Sequence, residues 1–135
     1  MGGRGASSGR SITGKEYGTE FETIYQSGNI KFVRYNDSTA AKSPMETMTS
    51  GRVYVTLSKD EYGNFFPKYI TYYDKHNRRF KQIDISGKPH MIDGKPELPH
   101  THNGYWHDEK GTKKPNPSER KMIERALKTW QNRIR

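Results

Sequence analysis

The chain has 135 residues, enough for one ordinary domain. It contains no cysteine, which excludes a disulfide framework, a thiolate zinc site and a cysteine nucleophile. Only 30% of residues are hydrophobic and the net charge is +9, so the core must be concentrated in a few elements and the surface attracts polyanions.

The charge is uneven. Basic side chains outnumber acidic ones by 6 to 5 in residues 1–50, 9 to 6 in 51–100 and 9 to 4 in 101–135. The excess grows toward the C-terminus, as expected of a nucleic-acid-binding surface; the alternative is a basic surface with no specific partner. No apolar run approaches the ~20 residues of a membrane span. The first residues lack an apolar signal region, so the expected location is the cytoplasm and no membrane partner is expected.

Residues 1–14, rich in Gly, Ser and Arg, read as a flexible leader. The single domain is expected over 15–135, with a sheet in 20–85, a histidine-rich loop in 86–115 and a helix over 117–134. Phe21, Ile24 and Tyr25 precede a Ser27-Gly28-Asn29 turn, and Ile30, Phe32 and Val33 follow it. Aromatic and β-branched runs around such a turn predict a hairpin. Residues 36–50 are polar, contain Pro44 and read as a loop from which Met45 and Met48 pack inward. Arg52 to Leu57 alternates, with Val53, Val55 and Leu57 on one side, which predicts a half-buried strand.

Residues 68–73 and 80–85 form the clearest hairpin. Its connection, Asp74 to Arg79, supplies Asp and Asn for left-handed turn geometry. It also gathers Lys75, Arg78 and Arg79 at one tip as candidate phosphate contacts. Glycines and prolines recur through 86–115 at a spacing that excludes a helix. Asn116-Pro117-Ser118-Glu119 then reads as an N-cap, a proline at the first helical position and a capping-box acid. Met122, Ile123, Ala126, Leu127, Trp130 and Ile134 recur at helical spacing, with Trp130 assigned to the core.

Four of the five histidines, His90, His100, His102 and His107, fall between residues 90 and 107. In extended chain His100 and His102 project side by side, because residues two apart share a face. Two chemistries use such a pair. In metal-free RNA cleavage His100 and His102 serve as base and acid, completed by His90 and the cation of Lys88. That reading requires no cofactor. In a metal site His100, His102 and His107 or His90 hold zinc or iron, with Asp108 or Glu109 as a carboxylate ligand. A histidine cluster that only forms hydrogen bonds within a packed loop is the third reading. Lys113 and Lys114 extend the candidate phosphate contacts, and Tyr105 and Trp106 are candidates for stacking on bases or for anchoring the loop. There is no P-loop, GxGxxG, GxSxG or EF-hand pattern.

The Met1–Gly9 leader, the Met48–Thr56 and Tyr69–Asp74 stretches and Pro99-His100-Thr101-His102-Asn103-Gly104-Tyr105 together resemble an uncharacterised family of small phage and prophage proteins of Gram-positive bacteria. The resemblance covers most of the chain and implies a phage setting, in the host cytoplasm or on the virion, without assigning catalytic residues. By architecture alone the chain also resembles phage-borne nucleases of the barnase/EndoU/colicin/RelE type, small basic α+β ribonucleases that work without metal. Those enzymes place a helix before the sheet, whereas the strong helix here comes last.

The expected fold is α+β: an antiparallel, twisted sheet of four to six strands packed against one C-terminal helix. The expected function is a monomeric, phage-encoded protein acting on nucleic acid, RNA in particular, as a ribonuclease with paired histidines. The alternatives are an accessory protein that binds nucleic acid, a phage head component or a host defence protein, and a small metal-binding domain that takes zinc or iron.

Overall fold

A computed structural model describes residues 21–36, 42–48, 50–86, 90–92, 95–97, 99–104 and 112–133. The elements are β1 (Phe21–Ser27), β2 (Ile30–Tyr35), β3 (Val53–Lys59), β4 (Phe65–Tyr73), β5 (Arg79–Asp84), β6 (His90–Ile92), β7 (Lys95–Glu97), β8 (His100–Asn103), β9 (Thr112–Lys113) and α1 (Pro117–Asn132). Seven strands form one sheet in the order β1-β2-β3-β4-β5-β8-β9, and β6 pairs with β7 separately. The class is α+β, as the sequence predicts.

The sheet is wider than expected because two short strands of the histidine-rich segment add to it. Prolines and glycines forbid a helix there, but His100–Asn103 is short enough to pair with the edge of β5. All pairings in the seven-stranded sheet are antiparallel except β2 with β3. The first hairpin turns through Gly28 at φ 59°, which glycine adopts without penalty. The β4–β5 connection places Asn77 at φ 62°, as its turn chemistry predicts.

Strand alternation gives the sheet two faces. On one, Ile30, Phe32, Val53, Val55, Leu57, Ile70 and Ile83 pack with Ala126 and Trp130 of α1. Phe32 and Trp130 have ring centroids 5.2 Å apart. The other face carries Phe21, Val33 and Tyr54, flanked by Tyr35 and Tyr73. β3 is therefore buried on both sides, where alternation alone predicts one wet side; Tyr54 and Thr56 are both fully buried. The segment 42–48 helps anchor that second face through Thr47 Oγ1, 2.8 Å from the Tyr54 hydroxyl, and the Arg79 N–H, which donates to the Met45 carbonyl at 2.9 Å. Met48, expected to pack inward, is exposed.

Glu119 decides how α1 sits. The Asn116 side chain accepts from the Glu119 N–H at 2.8 Å, and Glu119 Oε1 accepts from the Asn116 N–H at 2.9 Å, completing the expected capping box. The same carboxylate accepts from Thr101 Oγ1 of β8 at 3.0 Å and from Lys81 Nζ of β5 at 2.9 Å. Burial pushes the Glu119 carboxyl up, but the bonds from Lys81, Asn116 and Thr101 outweigh it and hold the group below its ordinary value. Burial, and after it the charge of the same carboxylate, push the neighbouring Tyr72 phenol up to about 12. Among the described residues no helix is long and apolar enough to cross a membrane.

Two outcomes follow from this packing. Trp130→Ala removes a nearly buried indole and is expected to cost roughly 3–5 kcal/mol, read by urea denaturation. The Glu119 carboxyl is depressed in the folded state. Its contribution is therefore complete above the unfolded value near 4.5 and is lost as pH falls through the lower folded value. Glu119→Gln is expected to lower stability at neutral pH and to flatten the acid limb of a stability–pH curve. An acid limb as steep as that of the parent chain would refute this assignment.

Candidate metal centre

The pairing of β5 with β8 sets Gln82 opposite His102 and Asp84 opposite His100. Side chains alternate along a strand, so these four lie on the face away from α1, while Ile83 and Thr101 point toward the helix. The two imidazoles stand side by side as the His-x-His spacing predicts, with ring centroids 4.6 Å apart and planes at 87°.

Both rings aim at one atom. His100 Nε2 lies 3.0 Å and His102 Nε2 3.1 Å from Asp84 Oδ2. Asp84 Oδ1 accepts from Gln82 Nε2 at 2.9 Å. Gln82 Oε1 in turn accepts from Ser43 Oγ and from an Arg79 NH1 donor at 3.0 Å, and that same NH1 lies 3.2 Å from Ser43 Oγ. Thr112 Oγ1 of β9 lies 3.1 Å from His102 Nδ1. The chain of contacts thus runs from Arg79 through Gln82, Asp84 and His102 to Thr112, across three strands.

The cluster is inside the protein. His100 is 1% exposed, His102 3% and Asp84 8%. Burial pushes the Asp84 carboxyl up. Hydrogen bonds from His102 and Gln82, and the charges of His102 and His100, outweigh that and hold it below its ordinary value. The adjacent Tyr69, opposite Asp84 in β4, is pushed up by its burial and then by the Asp84 charge.

The candidate residues named from sequence separate into groups. His100 and His102 come together. His90 is in β6, in the separate two-stranded sheet, and its side chain is outside the described residues, as are Lys88, Tyr105, Trp106 and His107. Lys75, Arg78, Lys113 and Lys114 are exposed. Arg79, grouped with the hairpin tip by sequence, is instead buried and turned toward Ser43 and Gln82. The carboxylate partner is Asp84, where the sequence reading names Asp108 or Glu109, both outside the described residues. The missed signal was the polar pair Gln82 and Asp84 flanking Ile83, a stripe that needed a polar strand opposite it.

The donor set fits a metal ion. Asp84, His100 and His102 offer ligand atoms that all lie within 4.8 Å of one another. A tetrahedral zinc at the usual ~2.0–2.1 Å bond length holds its ligand atoms about 3.3 Å apart, so small side-chain shifts bring these three around an ion. One carboxylate with two neutral imidazoles compensates half of a divalent charge. Gln82 on the carboxylate and Thr112 on His102 supply the outer hydrogen bonds that orient such ligands. Without an ion, an Nε2–H of each imidazole donates to the ionised Asp84 carboxylate, and the Thr112 hydroxyl pairs with His102 Nδ1.

No protein family, curated protein or solved structure matches the chain.

Asp84→Ala is expected to strip the acceptor from three buried donors and cost roughly 3 kcal/mol or more, measured by urea denaturation in EDTA. Asp84→Asn, which keeps an acceptor oxygen, is expected to cost less. A loss below about 1 kcal/mol for the alanine variant would mean that the network is dispensable.

Proposed function

We propose that this protein is a small metal-binding domain that takes one divalent transition ion, zinc first, on Asp84, His100 and His102. The observation that carries the reading is the convergence of two Nε2 atoms and a carboxylate on one buried point, from strands adjacent in space but separated in sequence. Imidazole with carboxylate suits zinc and iron, and the absence of thiolate disfavours copper(I) and iron–sulfur clusters. Three protein donors leave a fourth position for water or another ligand. The ion's main effect at this depth is to staple β8 to β5, the strand against which α1 is also held through Lys81.

Burial weighs against using the same histidines as the base and acid of a ribonuclease. An RNA backbone would have to reach imidazoles 1% and 3% exposed, with both Nε2 atoms already directed at Asp84. The phage resemblance of the leader and the PHTHNGY segment is compatible with a metal-stapled accessory protein.

The test uses untagged protein stripped with chelator and titrated with zinc against a chromophoric competitor. One equivalent is expected to bind, and at about 100 times Kd to stabilise the fold by roughly 2.7 kcal/mol, visible as a rise in Tm. His100→Ala and His102→Ala are expected to abolish that rise. Failure of zinc, iron(II), manganese and nickel to bind in stoichiometric amount would end the proposal.

A further inference from the structure

A second region, on the opposite face of the sheet, has a different chemistry. β4 and β5 lose register between Tyr72 and Tyr73: Tyr72 pairs with Lys81 and Tyr73 with Arg79, which leaves Phe80 in a bulge with no partner residue in β4, while its carbonyl accepts from the Gly104 N–H on the other side. Bulges re-aim side chains. Here the bulge leaves the Phe80 ring 41% exposed, 6.4 Å from the Tyr72 ring and 5.8 Å from Lys81 Nζ. Lys81 ties this ring to the start of α1 through Glu119. Lys113 reaches the same end, because it lies opposite Thr101, whose hydroxyl also bonds Glu119.

From that end the outward side of α1 is cationic. Arg120, Lys121, Arg125 and Lys128 are all exposed, and Glu124 is the only exposed acid among the described helix residues. At 100° per residue these four cations centre on the side opposite Ala126 and Trp130, which face the sheet. Arg120 to Lys128 spans about 12 Å of helix axis. The helix therefore spends its inner side on the core and offers its outer side as a row of positive charge beginning near an exposed ring.

We propose that this surface binds single-stranded RNA, with an unpaired base stacked on Phe80 and phosphates held by Lys113, Arg120, Lys121, Arg125 and Lys128. A ring next to a cationic track suits a strand whose bases are free to stack, and a duplex offers it none. The surface is separate from Asp84, His100 and His102, so it holds or fails independently of metal binding.

The experiment is fluorescence anisotropy of the full chain with a labelled single-stranded RNA of about 12 nucleotides. Raising salt from about 50 to about 200 mM is expected to weaken binding roughly 130-fold if each of the five cations engages one phosphate. The triple variant Lys121→Glu, Arg125→Glu, Lys128→Glu is expected to weaken it by at least about tenfold and to flatten the salt dependence. Phe80→Ala is expected to weaken it about tenfold with the salt dependence unchanged. Both variants should keep a cooperative unfolding transition, with a modest fall in Tm because Phe80 also packs on Tyr72 and the reversed charges lie beside Glu124. No binding at low salt, equal binding of the duplex, tighter binding of single-stranded DNA, or an unaffected Phe80→Ala variant would each overturn the proposal.

Discussion

Asp84 accepts hydrogen bonds from His100, His102 and Gln82 in a site nearly closed to water, and the far end of the sheet depends on that arrangement. A buried carboxylate is costly unless its charge is met by donors or cations. Here Gln82 meets one oxygen and two imidazoles meet the other. Because the imidazoles belong to β8 and the carboxylate to β5, satisfying the charge also fixes which strand lies beside β5 and in what register. A one-residue slip of β8 would turn both histidines toward α1 and bring Thr101 to the carboxylate.

Glu119 performs the corresponding task on the other face. It closes the N-terminus of α1 with Asn116 and reaches β5 and β8 through Lys81 and Thr101. β5 and β8 are thus joined twice, once on each side, by buried carboxylates 35 residues apart in sequence. Between them lies Ile83, which belongs to the main apolar cluster. Polar and apolar contacts share the strand because alternation sends Gln82 and Asp84 one way and Lys81 and Ile83 the other. An ion on Asp84, His100 and His102 would strengthen a junction that the backbone ladder and Glu119 already make, and would leave the outer side of α1 untouched.

The first hairpin, the β4–β5 hairpin, the capping box and the inward side of α1 were legible in the sequence because each rests on local signals: turn residues, period-2 alternation and 3.6-residue spacing. The His100–His102 pair was legible for the same reason. Asp84 was not, since nothing local distinguishes it from an ordinary solvent-facing acid at a strand end. Arg79 is the converse case: its neighbours Lys75 and Arg78 are exposed, whereas the return of segment 42–48 over the sheet brings Ser43 and Met45 against it. For β3, alternation reports only which side is apolar; whether aromatic and polar side chains cover the other side depends on other strands.

The sequence by itself determined the α+β class, the positions of the central strands and of α1, the cationic balance and the side-by-side histidines, all consequences of residue type and short-range period. Only the tertiary structure decided that the histidines face inward, that their partner is Asp84 and that a bulge turns Phe80 out beside a basic helix. Those outcomes depend on which strands become neighbours. That choice is made by burying charge and apolar surface together across separations that no local pattern encodes.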